Sequence, residues 1–324
     1  MKVLVTGGAG YIGSHFVQIL TQENVDCVVL DNLSRGHKEA VPSNVELVEA
    51  DLLDAESLSA LFAKDSFDSI VHFAAFAYVG ESVENPILYY QNNVIGSFNL
   101  IRAAIEANIK HFVFSSTCSL YGNPSKVPIS EEFPTNPINP YAQTKLTIEN
   151  MLRDFEEAYG IKSVCLRYFN AAGADFSGRI GESHDPEPHL IPIVINTALG
   201  LREKVLIFGD DYETKDGTCI RDYIHINDLG DAHLKALQYL HNGGISEIIN
   251  LGTGEGNSVK EIIDTAERII GKEIKKEIVG RRPGDPAILI ADNNKAKKIL
   301  EWEPKYDLHQ TISSAYKWHS SKRF

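Results

Sequence analysis

A tyrosine and a lysine four residues apart, Tyr141 and Lys145, could form an acid–base pair. They begin a helical pattern directly after Pro140, and residues four apart share one face of a helix. A tyrosine hydroxyl has an ordinary pKa near ~10 and is a poor base at neutral pH, but a nearby cation favours the phenolate. Because this spacing is common by chance, the pair predicts chemistry only if the fold places it at a ligand site.

A glycine-rich turn near the start of the chain could hold a phosphate group. The apolar run at residues 3–5 predicts a buried strand, and Gly7, Gly10 and Gly13 follow it before a helical pattern begins. Such a junction leaves backbone N–H groups free at the positive end of a helix. The spacing differs by one residue from G-x-G-x-x-G, and glycines at such a turn also occur for structural reasons alone.

An acidic residue at the end of the next strand strengthens this interpretation. The run Asp26–Asp31 predicts a second strand, and Asp31 lies 18 positions beyond Gly13. A carboxylate there accepts hydrogen bonds from a ribose diol and repels a 2′-phosphate, which favours NAD over NADP. Arg35 could serve a 2′-phosphate if it turned inward, although a solvated loop arginine is the commoner case. The turn and Asp31 together predict dinucleotide binding, and a nicotinamide cation would also favour a Tyr141 phenolate.

The remaining elements place the candidate chemistry at one edge of a sheet. Further strands are predicted over residues 45–48, 68–75 and 111–116, with helical patterns between them. This alternation predicts an α/β fold with a doubly wound parallel sheet, whose ligands bind at the carboxyl ends of the strands. Asp51 and Leu52 follow the third strand, and Thr117 follows the fifth. An adenine contact is expected near Asp51, and a hydroxyl cluster near Thr117.

Two features inside these elements have structural interpretations. His72 lies within a predicted buried strand, where a histidine is more often a core residue than a catalyst. Asn92 and Asn93 interrupt the helical pattern of residues 84–108, and adjacent asparagines weaken a helix. One of them could face a ligand, or both could face solvent.

Composition narrows the class of partner. The 324 residues are 43% hydrophobic and carry a formal net charge of −13 without a block of Lys or Arg. This argues against nucleic acid or an anionic membrane as the main partner and favours small ligands. The scattered Cys27, Cys118, Cys165 and Cys219 indicate reduced thiols, and no metal site is expected. With no signal region and no apolar run near ~18 residues, a cytoplasmic protein is expected.

In order along the chain, the motifs Gly7-x-x-Gly10-x-x-Gly13, Asp31, Ser115-Ser116-Thr117 and Tyr141-x-x-x-Lys145 resemble the extended short-chain dehydrogenase/reductase family. Other segments are similar to its 4-epimerase branch, which interconverts UDP-glucose and UDP-galactose: Val79-Gly-Glu-Ser-Val, Tyr89-Tyr-Gln-Asn-Asn, Leu166-Arg-Tyr-Phe-Asn170, Arg221-Asp-Tyr-Ile-His and Arg281-Arg-Pro-Gly-Asp285. The resemblance spans nearly the whole chain. It implies a Rossmann-like NAD-binding domain (1–169 plus 223–252), a smaller discontinuous UDP-sugar lobe (170–222 plus 253–324), and a homodimer through helices near residues 92–108 and 141–159.

The resemblance also implies a role for individual residues. Thr117, Tyr141 and Lys145 would be catalytic. The residues expected to bind NAD are Gly7, Gly10, Tyr11, Ile12, Gly13, Asp31, Asn32, Leu33, Ser34, Arg35, Gly36, Asp51, Leu52, Phe73, Ala74, Ala75, Asn92, Tyr141, Lys145 and Phe169. Those expected to bind the UDP-hexose are Thr117, Tyr141, Asn170, His189, Leu190, Phe208, Arg221, Arg282, Asp285 and Leu289.

The chemistry of these residue types supports the implied reaction. Arginine suits phosphate recognition, so Arg221 and Arg282 could bind the diphosphate of a UDP-sugar, although either could only pair with surface carboxylates. Tyr141 would take the proton of the sugar 4-OH while C4 passes a hydride to NAD⁺, and return of that hydride to the other face would invert C4. Thr117 would hydrogen-bond the same oxygen.

Departures and alternatives remain open at this point. Family members often carry a basic residue where this chain has Ala77, which predicts weaker NAD retention. Leu289 is expected beside the sugar C2 substituent, where its size disfavours N-acetylated sugars, or else in the core. A 4,6-dehydratase or decarboxylase would need an acid that Cys118 and Ser119 do not supply. A non-catalytic dinucleotide-sensing protein would not need the Thr, Tyr and Lys together.

Overall fold

Strands alternate with helices through residue 168 of the computed structural model, which describes residues 1–282 and 284–324. In chain order the strands are β1 (Lys2–Thr6), β2 (Asp26–Asp31), β3 (Glu46–Glu49), β4 (Ser69–His72), β5 (His111–Thr117), β6 (Lys162–Tyr168), β7 (Asn170–Ala172), β8 (Val205–Phe208), β9 (Ile220–Arg221), β10 (Tyr223–His225), β11 (Glu247–Leu251), β12 (Asn257–Ser258), β13 (Lys276–Val279) and β14 (Ile288–Leu289). The helices are α1 (Tyr11–Gln22), α2 (Ala55–Lys64), α3 (Val79–Glu84), α4 (Pro86–Tyr89), α5 (Gly96–Glu106), α6 (Pro140–Tyr159), α7 (Leu190–Ala198), α8 (Ile226–His241), α9 (Val259–Ile270), α10 (Asn294–Leu300) and α11 (Leu308–Ser320). Short 3₁₀ turns cover Lys38–Ala40 and Cys118–Tyr121, and a π-helical turn covers Tyr90–Ile95.

The large sheet has seven strands in the order β3-β2-β1-β4-β5-β6-β11, and every neighbouring pair is parallel. One hydrophobic core lies on each face: α1 and α8 contribute to one, and α2, α5 and α6 to the other. Strands covered on both faces are expected to be continuous apolar runs, which explains the sequence of β1. The predicted doubly wound parallel sheet is confirmed.

The ends of three strands differ from the predicted bounds. β3 covers 46–49 rather than 45–48, β5 extends to Thr117, and β4 ends at His72 instead of residue 75. The backbone N–H groups of Phe73 and Ala74 both donate to the carbonyl of Thr6, at 2.9 and 3.1 Å. The chain therefore leaves the sheet after His72 and passes over the turn that follows β1.

The interrupted helical pattern of residues 84–108 consists of α4, the π-helical turn and α5. Asn93 is buried in that turn, where its amide accepts from the N–H of Phe76 at 2.9 Å and donates to its carbonyl at 3.0 Å. It also donates to the Thr144 hydroxyl at 3.1 Å. Asn93 therefore does not face solvent but joins α6 to the segment after β4, and the alternative that one of the two asparagines faces a ligand stays a prediction for Asn92.

A third core is formed by α7, α9, α11 and β8. Around it, β8 pairs with β13, β7 pairs with β10, and β9 lies between β12 and β14. The chain returns to the large sheet through α8 and β11, so the sheet contains strands from both sides of residues 170–222. The exact division into two domains stays a prediction. Within the described residues, no helix combines the length and apolar character needed to cross a membrane.

His72 is a core residue, as predicted. Its ring is 1% exposed, and its two nitrogens hydrogen-bond the hydroxyls of Thr6 at 2.6 Å and Ser97 at 2.7 Å. Burial lowers the pKa of His72 to about 3, so the imidazole is neutral at physiological pH.

Candidate active site

The turn after β1 is tightly packed, and its glycines are required where other backbone segments approach closely. Gly7 has a φ of +72°, and a Cβ there would lie 2.5 Å from the backbone nitrogen of Ala74. A Cβ at Gly13 would collide with the carbonyl oxygen of Gly7. Gly10 precedes α1 without a side-chain cap, which leaves the first N–H groups of that helix free. The glycine pattern therefore forms a backbone cradle at the positive end of a helix.

Asp31, at the end of β2, is buried with both carboxylate oxygens bonded to backbone. One oxygen accepts from the N–H of Ala9 at 3.0 Å and the other from the N–H of Leu33 at 2.9 Å. Burial raises the pKa of this carboxyl, and the two hydrogen bonds lower it. Because Ala9 belongs to the glycine turn, Asp31 fixes the shape of the cradle and lies at its edge.

A cleft beside this turn is lined by most of the residues expected to bind a cofactor: Gly7, Gly10, Asp31, Asn32, Ser34, Arg35, Gly36, Asp51, Leu52, Phe73, Ala74, Ala75 and Asn92. Sequence reasoning missed three lining residues, Leu30, Ala50 and Phe76, which are sequence neighbours of predicted ones. The other candidates lie outside this lining: Tyr11, Ile12, Gly13, Leu33, Tyr141, Lys145 and Phe169. Their contact with a cofactor stays a prediction.

Arg35 adopts neither of the arrangements considered from the sequence. Its Nη2 donates to Oε1 of Glu81 at 2.7 Å. The guanidinium carbon lies 5.2 Å from the ring centre of Phe76 and 4.8 Å from that of Tyr78. The side chain is therefore neither turned toward Asp31 nor free in solvent.

Thr117 and Tyr141 meet at the carboxyl end of β5. Asn139 caps α6 by accepting from the N–H of Ala142 at 2.9 Å, and Pro140 occupies the first position. This start places Tyr141 in the first turn, where the nearby Thr117 hydroxyl lowers the pKa of the Tyr141 phenol against the larger effect of burial. Both side chains are buried. A substrate hydroxyl that reached this pair would meet two oxygens able to exchange a proton.

Lys145 lies one turn further along α6 and is 2% exposed. Its Nζ donates to the carbonyl oxygen of Ser115 at 2.7 Å and lies 4.8 Å from the ring centre of Phe114. Burial lowers the pKa of Lys145 to about 7, and the Glu149 carboxylate opposes that shift. The cation is thus held by β5, behind Tyr141.

Burial dominates the ionisation of Tyr141, and the expected effect of Lys145 together with a bound cofactor stays a prediction. Burial raises the pKa of Tyr141 to about 12, and among the described residues only the Thr117 hydroxyl lowers it. The same burial that disfavours the Tyr141 phenolate also disfavours the charged form of Lys145, the cation that should assist it. A Tyr141 phenolate therefore needs a further positive charge or hydrogen-bond donor.

A buried ion pair behind Lys145 was missed by sequence reasoning. The Arg167 guanidinium donates to Glu149 from Nη2 at 2.5 Å and from Nε at 2.9 Å. The Ser116 hydroxyl donates to the same carboxylate at 2.5 Å, and the Arg167 and Glu149 side chains are 4% and 3% exposed. An arginine inside the apolar strand β6 was the available signal, because a buried charge needs a partner.

Two candidate arginines come together at the rim of the smaller lobe. Arg282 Nε donates to Asp285 at 2.9 Å, and its guanidinium lies 4.7 Å from the ring centre of Phe208. The Arg221 Nη2 lies 3.8 Å from the same Asp285 carboxylate. These four residues come from β8, β9 and the loop before β14, so the fold concentrates two cations and a carboxylate at one rim.

The remaining substrate candidates lie close to this rim or to the catalytic group. Leu289 in β14 pairs with Arg221 in β9 and is half-buried against a small core that contains Cys118 and Phe169. The Asn170 amide donates to the carbonyl of Asp222 at 3.0 Å. Leu289 is thus close to the residue after Thr117, and its contact with a sugar stays a prediction.

His189 and Leu190 lie at the start of α7, where His189 belongs to a cluster with Glu182, His184 and Glu187. Its Nδ1 lies 2.7 Å from Glu182 and 2.9 Å from Glu187, and the Nδ1 of His184 lies 3.1 Å from Glu182. The carboxylates raise the pKa of His189 to about 10. These direct contacts form an ion-pair network. The alternation of acidic and histidine residues over 182–189 was the signal for it that sequence reasoning missed.

The sequence and fold are similar to those of known proteins. Residues 3–252 match the model of the NAD dependent epimerase/dehydratase family. The chain is 53% identical to the UDP-glucose 4-epimerase of Halalkalibacterium halodurans, over 98% of this chain and 96% of that protein.

Two solved structures share the fold almost completely. The UDP-glucose 4-epimerase from Brucella ovis, in complex with NAD, is 47% identical with a TM-score of 0.95 over 97% of each chain. The UDP-glucose 4-epimerase from Bifidobacterium longum, in complex with NAD⁺ and UDP, is 37% identical with a TM-score of 0.94 over 99% of each chain.

Proposed function

Because the chain belongs to the NAD dependent epimerase/dehydratase family, we propose that it interconverts UDP-galactose and UDP-glucose by inverting the hydroxyl at sugar C4. The protein is an NAD-dependent isomerase. The observation that carries the proposal is the burial of Tyr141 and Thr117 at the carboxyl end of β5, in a fold whose glycine turn and Asp31 line a cleft.

The residues of the cleft fit NAD. The glycine turn suits a pyrophosphate because its backbone packs closely and leaves the first N–H groups of α1 free, and Asp31 suits an adenosine ribose. Asp51 and Asn92 line the same cleft and offer hydrogen bonds to the adenosine end. When bound, NAD supplies a nicotinamide ring that accepts a hydride from C4 and returns it, so that no net oxidation results.

The catalytic residues perform the proton transfer that accompanies this exchange. Tyr141 removes the proton of the 4-OH and later returns it to the inverted oxygen, while Thr117 hydrogen-bonds that oxygen. Lys145 provides the nearby cation and, through the Ser115 carbonyl, fixes α6 against β5. Burial of the three groups excludes water, which protects the ketone formed in between.

Arg221 and Arg282 are the proposed diphosphate ligands. Guanidinium groups bind phosphate oxygens with paired N–H donors, and Asp285 holds both side chains at one rim before substrate arrives. His189, Leu190, Asn170 and Phe208 complete the proposed UDP-sugar site. These assignments correspond to a cofactor-binding domain of residues 1–169 plus 223–252 and a substrate-binding lobe of residues 170–222 plus 253–324.

A dehydratase is less well supported because, among the described residues, the immediate neighbour of Tyr141 that could serve as a second acid is the thiol of Cys118. Such a reaction eliminates water and needs a proton donor next to the Tyr141 hydroxyl. The neighbouring thiol of Cys118 is buried, which raises its pKa to about 12. A thiol that holds its proton so tightly is a poor general acid at neutral pH.

The direct test is incubation of the purified protein with UDP-galactose and no added NAD, followed by chromatographic separation of the products. Mixtures of UDP-galactose and UDP-glucose should form from either sugar. Tyr141→Phe should lower turnover by roughly 10²- to 10⁴-fold, as expected for loss of a general base. Tyr316→Phe, in the distant helix α11, is the matched control. Stoichiometric NADH, or a product that has lost water, would contradict the proposal.

The second copy of this chain is the proposed protein partner. Exposed apolar side chains form a face across α4, the π-helical turn, α5 and α6: Ile87 is 69% exposed, Ile95 49%, Phe98 40% and Tyr159 54%. Phe155 connects the two helices, since its ring centre lies 6.3 Å from that of Phe98 and 5.8 Å from that of Tyr159. Exposed apolar side chains concentrated on neighbouring helices are typical of an interface, so a homodimer is expected.

Light scattering tests the dimer. Ile95→Asp should convert a species of twice the chain mass into one of a single chain mass, because it places a charge in the buried face. Ile278→Asp is the matched control, since Ile278 is 51% exposed on β13 in the smaller lobe. A wild-type protein whose measured mass is that of a single chain would reject the dimer.

A cytoplasmic location is also proposed, supported by four free cysteines.

A further inference from the structure

Arg35 carries the positive charge among the residues that line the cofactor cleft. It lies four residues after Asp31, on the loop that an adenosine ribose would approach. A free arginine at this place would attract a phosphate on that ribose. The partner of Arg35 therefore bears on the choice of dinucleotide.

Glu81 of α3 holds the Arg35 guanidinium against Phe76, another residue of the cleft lining. The contact measures 2.7 Å, and the rings of Phe76 and Tyr78 lie against the guanidinium at 5.2 and 4.8 Å from their centres. Both charged side chains are about one-third exposed, at 33% and 31%, so water screens the pair only in part. The aromatic faces add cation–π attraction to the ion pair.

The carboxylate of Glu81 is itself fixed. Its other oxygen, Oε2, lies 2.8 Å from the hydroxyl of Tyr89, a side chain with no exposed surface. The same hydroxyl accepts from the N–H of Tyr78 at 2.9 Å. Glu81 is therefore held by a buried side chain, and Arg35 is held by Glu81.

Asp31, by contrast, has no cationic partner among the described residues. Its two oxygens accept only backbone N–H groups, and Arg35 does not contribute to its pKa. A 2′-phosphate on the ribose would place about two further negative charges beside this carboxylate. Nothing on the described walls of the cleft would compensate them while Glu81 keeps Arg35.

We propose that Glu81 is a cofactor-specificity residue, which excludes NADP by holding the Arg35 guanidinium against Phe76 and Tyr78. The inference rests on the proposed function only in taking NAD as the cofactor. It predicts that neutralising Glu81 releases the guanidinium toward a 2′-phosphate, while NAD, which lacks that phosphate, gains nothing from the release. Specificity then depends on a contact between residues 46 positions apart in sequence.

The test measures bound cofactor rather than turnover. Purified full-length protein is incubated with equal excess NAD⁺ and NADP⁺, freed of unbound nucleotide and extracted with acid, and the two dinucleotides are quantified by chromatography. Glu81→Gln keeps the oxygen that faces Tyr89 and removes the charge. It should raise the bound NADP to NAD ratio roughly 10- to 100-fold, the range for one hydrogen bond to a charged group.

Control variants separate this role from a general weakening of the cleft. Glu84→Gln changes an exposed residue of the same helix and should leave the ratio within twofold of the wild type. Arg35→Gln in the Glu81→Gln background should return the ratio to the wild-type value, because no cation is left to release. Arg35→Gln alone should not change the ratio, because a guanidinium that Glu81 holds does not assist NADP.

Three results would overturn the proposal. These are an unchanged ratio in Glu81→Gln, a raised ratio that persists in the double variant, and a fall in the Arg35→Gln single variant, which would mean that Arg35 already serves NADP. The outcome is independent of catalysis. A protein that binds NAD selectively but does not invert C4 would reject the proposed function and leave the specificity role standing.

Discussion

Replacement of Glu149 by glutamine would remove one charge from an ion pair that is almost completely enclosed by protein. The side chain keeps its shape, but Arg167, which is 4% exposed, loses its counter-charge where water cannot replace it. Removal of one partner from a buried pair lowers the free energy of unfolding by about 3–5 kcal/mol. For a chain of this size that corresponds to a fall in melting temperature of roughly 5–15 °C.

Thermal unfolding followed by circular dichroism measures the effect on the protein with its cofactor bound. Glu157→Gln, two turns further along α6 and exposed, is the matched control, and its stability should change by no more than ~0.5 kcal/mol. The double variant Glu149→Met with Arg167→Met removes both charges. It should recover much of the lost stability, because a buried pair replaced by apolar residues is often neutral or stabilising.

Two outcomes would refute this reasoning. A melting temperature for Glu149→Gln within about 2 °C of the wild type would mean that Arg167 finds another partner or water. A double variant as unstable as Glu149→Gln would mean that packing, not charge, dominates the site. A second readout is activity, because loss of the Glu149 charge also lowers the pKa of Lys145 further below its ordinary value.

Three further substitutions test the site. Lys145→Met should lower kcat by roughly 10²-fold or more. Its residual rate should rise with pH, because a Tyr141 pKa of about 12 leaves few phenolates at neutral pH. Full activity with a flat pH profile would reject this role of Lys145. Leu289→Ser should raise activity on UDP-N-acetylglucosamine at modest cost to UDP-galactose if Leu289 faces the sugar, whereas equal losses with lowered stability would show a core residue. His189→Gln should destabilise the protein most below pH ~6.5, the ordinary histidine value. Because the folded pKa of His189 is raised to about 10, that difference should shrink as pH approaches 10, and a difference independent of pH would contradict the ion pairing.

The fold could be predicted because its elements depend on local patterns. The apolar run of β1, the glycines after it and the acidic end of β2 each follow from the residues present, and strand bounds differ by only one to three residues. The errors occur where the chain leaves the sheet. Residues 73–75 are apolar like a strand, but their N–H groups turn to the carbonyl of Thr6, a partner that no periodicity reveals.

Side-chain partnerships could not be predicted in the same way. Glu149 and Arg167 are 18 residues apart, and Arg35 and Glu81 are 46 apart, and each pairing depends on the assembled sheet. The sequence indicates that a charge in an apolar strand needs a partner, but not which residue provides it. Asn93 shows the same limit, because its helix-weakening character was evident while its contacts with Phe76 and Thr144 were not.

The acid–base chemistry of the site follows from burial more than from the spacing of Tyr141 and Lys145. With a pKa of about 12, ionising Tyr141 at pH 7 costs about 7 kcal/mol. A positive charge such as that of a nicotinamide ring, if it lay ~4 Å from the phenolate, would stabilise it by about 4 kcal/mol at an effective dielectric of 20. One hydrogen bond from a substrate hydroxyl would stabilise it by about 1.5–3 kcal/mol. Either contribution alone is too small, whereas both together nearly match the cost. We therefore predict that Tyr141 acts as a base only when cofactor and sugar are both in place.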